Sequence, residues 1–248
     1  MEKGISYQTK MLLNYIPQEE IQMLLESVRN RTVEDKDFAE DLEEFSLKRS
    51  LDDYMILRSY TGYNFRSINA VLRRNWNYEE NGLLTEEQQN RFLKDARDIS
   101  NLVEEFPSPK KDFLTFRGTT LREFQKYGIT SLEELKSLQG NYLYEEGFTS
   151  TSLKPESSYY GKNINGVDYN IEVVYHIPGE SNDGIPLITE DLSYSKEQQE
   201  YLLNCRTLSY VEEVRVEGNT AHIHVIMIPK KVWNKSSEKE EKRNPNQL

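Results

Sequence analysis

The sequence has a single cysteine, Cys205, and three histidines among its 248 residues. One cysteine excludes a disulfide within the chain and any zinc site with several cysteine ligands. Long apolar runs are also missing, since no stretch approaches the ~18 apolar residues of a membrane-spanning helix. Basic residues are in the minority, and the formal net charge is −11. This charge disfavours general attraction to nucleic acids, although it does not exclude a local basic groove.

Residues 1–6 lack the apolar run of a secretory signal and the Arg-rich pattern of an organelle transit peptide. The expected location is therefore the cytoplasm, or a target cell reached by a route that needs no classical signal peptide. Hydrophobic residues make up 36% of the chain, which is enough to form the core of one large domain or two small ones.

Helical patterns dominate the first part of the chain. Pro17 suits a first helical turn, and the apolar residues that follow it recur at helical spacing. Thr85 and Gln88 form a capping box ahead of a second apolar stripe, which should end before Pro107. Residues 51–75 are also helix-like, but the pair at 61–62, Thr-Gly, predicts a break or turn. The first stripe comprises Ile21, Leu24, Leu25 and Val28.

Strand-like patterns follow Pro109. β-branched and aromatic runs predict strands, and Gly218 predicts a hairpin turn between the last two. Ser131 and Glu134 predict one capped helix among the strands. Helices first and strands second favour an α+β fold with a mixed or mostly antiparallel sheet. We expect a helical N-terminal part (1–110), a β-rich core (111–233) and a disordered tail (234–248). The predicted strands cover residues 113–116, 169–175, 207–216 and 220–228.

Three short stretches carry residues suited to binding and catalysis. In the first, a predicted strand delivers Arg117 directly before Gly118. A guanidinium can bind a phosphate with two parallel N–H groups, and a glycine lets a ligand approach the backbone closely. The alternative interpretation of Arg117 is an ordinary surface ion pair.

The second and third stretches supply hydroxyl, amide and carboxylate groups. Residues 150–152, Ser-Thr-Ser, could orient a carboxylate or a ribose, or could satisfy their own backbone. The third stretch is a polar loop that runs into an apolar strand at residues 193–203. If this chain is extended, Gln198 and Glu200 point to the same face and could share a cleft.

Taken in this order, the stretches resemble the R-S-E class of mono-ADP-ribosyltransferases, in particular the exoenzyme-type (C3-like) bacterial toxin domains. Arg117, the stretch 148–152 and the Gln-x-Glu before a Leu-Leu strand at 198–203 match the three family motifs. A fourth match is the helical Tyr-Thr-Gly at 60–62, with Ile-Asn-x-x-Leu-Arg at 68–73. The resemblance implies the ADP-ribosyltransferase fold, which is a mixed or antiparallel two-sheet core with an N-terminal helical subdomain.

The resemblance also implies that NAD is the substrate and that no metal is needed. Glu200 would stabilise the cationic ribose through its 2′-hydroxyl, while Ser150 would hold the carboxylate in place. Arg117 would bind a phosphate, and the backbone at Gly118 would hold the nicotinamide amide. The expected catalytic residues are Glu200, Gln198 and Ser150. The expected NAD-binding residues are Arg117, Gly118, Ser150, Thr151, Ser152, Asn69 and Arg73.

Gln198 is expected to select the acceptor. In the family, glutamate at this place accompanies modification of arginine, whereas glutamine accompanies modification of an asparagine amide or, in some branches, a nucleobase. We therefore expect a non-arginine acceptor that Tyr194 contacts, with a protein amide favoured over a nucleic acid base, and NAD hydrolysis as a side reaction. A non-catalytic docking module is the remaining alternative. The helical half would be a lid on NAD or a docking surface for a partner such as an inhibitory antitoxin.

Two departures from the family pattern bear on these expectations. Residues 204–206, Asn-Cys-Arg, stand where the family has Pro-Arg-Gly, which predicts an altered turn. The loop at 153–170, expected to cover the phosphates and nicotinamide, lacks an arginine that is often found there. Lys154 or Lys162 would have to replace it, with a point charge in place of a planar fork.

Other acidic residues, histidines and the cysteine carry weaker hypotheses. Glu212 and Glu213 are interpreted as surface charges, because neighbouring strand residues face opposite sides. His222 and His224 have metal-like spacing but no third ligand close in sequence, so an exposed hairpin face is favoured. Nothing around Cys205 indicates an activated thiolate.

Overall fold

The computed structural model describes residues 18–31, 36–73 and 84–233. The expectations for Pro17, for residues 74–75 and for the tail at 234–248 lie outside these ranges. Within them no helix combines the length and apolarity that crossing a lipid bilayer requires. The α-helices are α1 (Gln18–Arg29), α2 (Ala39–Ser46), α3 (Leu51–Ser59), α4 (Phe65–Leu72), α5 (Glu86–Glu105) and α6 (Lys230–Trp233).

The stripe predicted along α1 is confirmed, and the stripe along α5 is confirmed at every residue but one, since Leu93 is 40% exposed. The α1 stripe packs on the sheet, where Ile21, Leu25 and Val28 are buried with residues of the last strands. At the start of α5, the Gln88 amide donates to the Thr85 hydroxyl at 3.2 Å and the Thr85 amide donates to the Gln88 side chain at 2.9 Å. Such a cap contributes about 1 kcal/mol. The helix ends at Glu105, as the following prolines require.

The break predicted at residues 61–62 is wrong. The chain stays helical there, because α3 and α4 are joined by the π-helical stretch Tyr60–Asn64. A π-helical turn admits an extra residue without ending the helix. Tyr60 holds the stretch in place, since it is buried and its ring packs on Phe148 with centroids 5.4 Å apart. The glycine therefore lies in a widened helical turn.

Eight strands form one mixed sheet in the order β2-β9-β10-β6-β1-β3-β8-β7, and β4 and β5 pair separately. All neighbours in the large sheet are antiparallel except β6 and β10. This arrangement confirms the α+β prediction and the hairpin between the last two strands. The strands are β1 (Phe113–Thr119), β2 (Tyr142–Glu145), β3 (Thr149–Ser152), β4 (Asn163–Ile164), β5 (Val167–Asp168), β6 (Ile171–Ile177), β7 (Gly184–Leu187), β8 (Glu200–Leu203), β9 (Thr207–Glu217) and β10 (Thr220–Ile228).

The large sheet consists of two parts. Strands β1 and β3 share only the pair formed by Phe116 and Ser152, whereas β1 pairs with β6 along its whole length. A five-stranded part (β2-β9-β10-β6-β1) and a three-stranded part (β3-β8-β7) therefore diverge beyond this pair. The main core cluster packs the helices against the three-stranded part, with Phe106 and Tyr201 among its largest members.

The capping box predicted at Ser131 is wrong. Thr130, one residue earlier, donates both its backbone N–H and its hydroxyl to the Glu134 carboxylate, at 2.7 and 2.9 Å. The segment Glu133–Leu138 is a 3-10 helix, and Leu135 and Leu138 are buried as the pattern predicted. Tight 3-10 turns suit short segments of this kind.

Candidate active site

Three residues that are far apart in sequence meet where the two parts of the sheet diverge. Arg117 lies on β1, Ser150 on β3, and Glu200 is the first residue of β8. The Ser150 hydroxyl donates to Oε1 of Glu200, and Nη1 of Arg117 donates to the Ser150 carbonyl at 2.8 Å. The sequence predicted these residues as one site, and the structure brings them together.

Glu200 is a buried carboxyl, only 6% exposed. Burial raises its pKa to about 7, because desolvation penalises the charged form more than the Ser150 hydrogen bond and the Arg117 charge favour it. A group that titrates near neutrality can change its charge over the working range of most enzymes. Glu200 therefore has the perturbed titration that is typical of a functional carboxyl.

Arg117 is held from two sides. Its side chain is 21% exposed, and Nη2 donates to Glu123 in the 3-10 helix Leu121–Tyr127 that follows β1. Burial alone would lower the pKa of Arg117, but Glu123, Tyr175 and Glu145 together outweigh this effect and raise it. Arg117 does form an ion pair, as the alternative interpretation proposed, but it does so inside the site. Sequence reasoning missed Glu123, since the position of a short 3-10 helix relative to a strand has no clear sequence signal.

The Ser-Thr-Ser hydroxyls bind the chain that follows the polar loop. The Thr151 hydroxyl donates to the Tyr201 carbonyl at 2.7 Å, and the Ser152 hydroxyl donates to the Gln198 carbonyl at 3.0 Å. The structure therefore gives Thr151 and Ser152 a role in joining β3 to β8 and to the loop before it. Their contact with NAD stays a prediction.

The expectation that Gln198 lies in extended chain is wrong. Lys196–Gln198 is a 3-10 turn, and Gln199 has a left-handed backbone with φ of 48°. The chain thus changes direction between Gln198 and Glu200, and an argument from strand alternation does not apply. The side-chain amide Nε2 of Gln198 donates instead to the hydroxyl of Tyr159, at 3.1 Å.

Tyr159 belongs to the 153–170 loop, which lies over Gly118. A side chain at position 118 would collide with the backbone of Tyr159 and Tyr160, so the close approach requires glycine. The Tyr160 hydroxyl is within 3.1 Å of Nε2 of His222, whose Nδ1 is 3.0 Å from the Glu172 carboxylate. His222 therefore anchors this loop. Among the expected cations, Lys162 lies over the Tyr159 ring with Nζ 5.6 Å from its centroid, and Lys154 is exposed.

Asn69 fixes the chain that leads into β3. It accepts a hydrogen bond from the Phe148 amide at 2.8 Å, and its Nδ2 donates to the Phe148 carbonyl at 3.3 Å and to the Tyr60 hydroxyl at 3.2 Å. Both amide hydrogens of Asn69 are thus used within the protein. A side chain on Gly147 would lie 2.7 Å from its Oδ1. Asn69 therefore positions the Ser-Thr-Ser strand, and its direct contact with NAD stays a prediction.

Arg73 pairs with a carboxylate that sequence reasoning did not single out. Its Nε donates to Glu145 at 2.8 Å, and Lys126 pairs with the other oxygen of Glu145, also at 2.8 Å. Burial works to raise the pKa of Glu145, but the two cations outweigh it and hold the pKa at about 2. This charged cluster lies close to Arg117: the Glu145 carboxylate helps to raise the pKa of Arg117, and the Arg117 charge works to lower the pKa of Arg73.

Tyr194 in the 193–199 loop is 53% exposed and rests on the helical Tyr-Thr-Gly motif. Its backbone N–H donates to the Thr61 hydroxyl at 3.2 Å, and a Cβ on Gly62 would lie 2.7 Å from its ring. The guanidinium of Arg58 lies over the same ring, 4.6 Å from its centroid. The π-helical stretch therefore supports the loop that carries Tyr194.

The remaining candidates have structural explanations. Glu212 pairs with Arg29 and Glu213 with Arg215, both at 2.7 Å. Burial raises the pKa of the Cys205 thiol, which is the opposite of activation. In the part of the chain that the structure describes, no group of three or more His, Cys, Asp or Glu residues could hold a metal ion.

Comparisons with known proteins agree with this geometry. A family model described as ADP-ribosyltransferase exoenzyme matches residues 35–232. The comparison with curated proteins gave no match. Solved structures with the same fold include a C3 ADP-ribosyltransferase from Clostridium botulinum, with a TM-score of 0.59, 20% identity, and coverage of 79% of this chain and 98% of that one. A C3 enzyme from S. aureus, solved with NAD, has a TM-score of 0.58 and 18% identity, with coverage of 80% of this chain and 99% of that one.

The family match spans most of the chain, including all three site residues and the helical motif. The chain therefore belongs to the ADP-ribosyltransferase exoenzyme family, and it is an ADP-ribosyltransferase of the toxin type that uses NAD as its substrate.

Proposed function

We propose that this enzyme transfers a single ADP-ribose unit from NAD to a side-chain amide of a target protein, and that it hydrolyses NAD as a side reaction. The observation that carries the proposal is the convergence of Arg117, Ser150 and Glu200, with a glutamine at position 198 beside them. Delivery into a target cell without a classical signal peptide is part of the same proposal.

The reaction breaks the bond between nicotinamide and ribose. Nicotinamide leaves with the electron pair of that bond, and the sugar passes through an oxocarbenium-like state. The amide nitrogen of the acceptor then forms a bond to C1 of the ribose, and its proton is released to water. A carboxylate that stabilises the cation lowers the barrier, and removing such a group costs about 3–4 kcal/mol. Glu200 supplies this charge, and Ser150 orients it.

Arg117 is proposed to bind a phosphate of NAD. Hydrogen bonds to the Ser150 carbonyl and to the Glu123 carboxylate already orient its guanidinium. An anionic ligand would compete with Glu123 for the same N–H groups. The proposed NAD contacts also include the Gly118 backbone, residues 150–152, Asn69 and Arg73.

The nature of residue 198 supports an amide acceptor. A glutamine side chain cannot take a proton from a guanidinium at neutral pH, whereas its carbonyl oxygen can accept a hydrogen bond from another amide. A nucleic acid base offers similar groups, but the net charge of −11 disfavours that partner. Tyr63 is 84% exposed and its ring lies beside Tyr194, with centroids 6.0 Å apart. We propose that the target contacts this aromatic surface, and that an inhibitory antitoxin would block transfer by covering it.

The test is incubation of the purified enzyme with biotin-labelled NAD and a cell lysate. We expect label that survives nuclease, is lost to protease, and maps by mass spectrometry to asparagine or glutamine. Glu200→Gln should reduce labelling by about two to three orders of magnitude, while Glu197→Gln, an exposed acid on the same loop, should not. Label on arginine would reject the interpretation of Gln198, and nuclease-sensitive label would favour a nucleic acid acceptor.

A further inference from the structure

The 153–170 loop and the 193–199 loop are joined by a series of hydrogen bonds. Three successive carbonyls of the second loop accept from the first loop and the strand before it: residue 197 from the Ser157 hydroxyl at 3.4 Å, residue 198 from the Ser152 hydroxyl at 3.0 Å, and residue 199 from the Leu153 amide at 2.8 Å. The backbone around Gln198 is therefore fixed from one side. Only its side-chain torsions remain free to vary.

The Tyr159 hydroxyl limits that remaining freedom. It accepts a hydrogen bond from Nε2 of Gln198 at 3.1 Å, which assigns the NH₂ end of the amide to the 153–170 loop. Within the described ranges, Oε1 of Gln198 has no hydrogen-bond donor. An amide held at its nitrogen presents its carbonyl oxygen in a defined direction, and that oxygen can accept an N–H from an incoming amide.

We propose that Tyr159 is a positioning residue that sets the acceptor specificity of the enzyme by orienting the Gln198 amide. The inference rests on the proposed function, because it concerns the transfer of ADP-ribose to an amide nitrogen. Tyr159 acts through Gln198, so its hydroxyl is needed when a protein acceptor attacks and is not needed when water does.

The ring of Tyr159 is held independently of its hydroxyl. It packs edge-on against the ring of Tyr169, with centroids 5.5 Å apart, and Lys162 lies over it. The backbone beside it packs on Gly118. Replacement by phenylalanine therefore removes the hydrogen bond and keeps the packing of the loop.

Tyr160 provides a matched control in the same loop. Its hydroxyl is also hydrogen-bonded, but to His222 and not to Gln198. Tyr160→Phe makes the same chemical change and loosens the same loop without touching the amide. A general loss of loop order would affect both variants equally.

The experiment measures two activities for each variant. Transfer is the labelling of the acceptor band in a fixed amount of lysate with biotin-labelled NAD, and hydrolysis is the cleavage of etheno-NAD without lysate. A lost hydrogen bond is worth about 1 kcal/mol, so Tyr159→Phe should reduce transfer by roughly three- to tenfold. Hydrolysis should change less than twofold, and Tyr160→Phe should keep the wild-type ratio of the two activities.

A double-mutant cycle tests whether Tyr159 acts through Gln198. In a Gln198→Ala background, Tyr159→Phe should cause no further loss of transfer, since the amide that it orients is gone. Any of four results would overturn the inference while wild-type transfer persists. They are an equal loss of transfer and hydrolysis in Tyr159→Phe, an equal effect of Tyr160→Phe, additive losses in the cycle, and no effect of Tyr159→Phe on transfer. Absence of any labelled protein with the wild-type enzyme would overturn the proposed function, and this inference with it.

Discussion

Glu200→Gln should stabilise the protein at neutral and alkaline pH while it removes transfer activity. The folded protein binds a proton at Glu200 more tightly than the unfolded chain does, because burial raises the pKa of this carboxyl from its ordinary 4.5 to about 7. The stability that the protonated carboxyl contributes is complete below about pH 4.5 and is lost as the pH rises through 7. A neutral amide of the same shape does not titrate.

The size of the effect follows from these two pKa values. A carboxyl that titrates at about 7 in place of 4.5 costs about 3 kcal/mol when it is ionised in the folded state. For a chain of this length, that difference corresponds to roughly 6–12 °C in Tm. The full difference applies because Glu200 is only 6% exposed, and little solvent screens it.

The assay is thermal unfolding of wild type and Glu200→Gln at a series of pH values between 4.5 and 8.5. We expect the two Tm values to coincide near pH 4.5 and to separate as the pH rises, with the variant the more stable. Glu197→Gln, an exposed control three residues away, should stay within about 0.5 kcal/mol of wild type throughout. A difference that is independent of pH, or a variant less stable than wild type at pH 8, would refute the reasoning.

Three further predictions concern activity and the altered turn. The kcat/KM for nicotinamide release should rise about tenfold per pH unit up to pH 7 and then level off, because the ionised form of Glu200 is required; a flat profile would contradict this requirement. Gly62→Ala should reduce transfer to protein but not NAD hydrolysis, since a Cβ there lies 2.7 Å from the Tyr194 ring; equal losses would argue against a role in acceptor binding. Arg206→Gly should raise the free energy of unfolding in urea by about 0.5–1 kcal/mol, because Arg206 has φ of 55°; a lower stability would mean that the arginine side chain compensates for its backbone.

Local signals in the sequence predicted those elements that local interactions stabilise. The reciprocal cap at Thr85 and the stripe along α5 lie within one helix, and both were predicted correctly. The widened turn at Tyr60–Asn64 was not predicted, because it is held by the packing of Tyr60 on Phe148, a residue far away in the sequence. Glu134 was assigned to the wrong partner, since Ser131 and Thr130 carry equivalent hydroxyls and only the backbone geometry distinguishes them.

In the candidate site too, residues in sequence motifs were predicted, and residues that depend on distant contacts were not. Arg117, Ser150 and Glu200 were identified because they stand in motifs with a recognisable order, and the structure brings them together. Glu123 and Tyr159 were missed, because each becomes relevant only through the position of a short turn or loop relative to a distant strand. The extended conformation expected at Gln198 is wrong, because residues 196–198 form a 3-10 turn and Gln199 has a left-handed backbone.

The single pair between β1 and β3 has a mechanical consequence. A sheet normally resists bending across its strands because every neighbour is bonded along its length, but here the backbone pairing between the two parts is limited to Phe116 with Ser152. Side chains complete the junction, since Arg117 donates to the Ser150 carbonyl and Phe113 packs on Tyr201. The two parts are therefore joined more by side chains than by backbone, and residues 117 and 150 stand on opposite sides of the junction. A dinucleotide that contacts residues on both sides would add to this junction, so we expect NAD binding to rigidify the fold where the two parts meet.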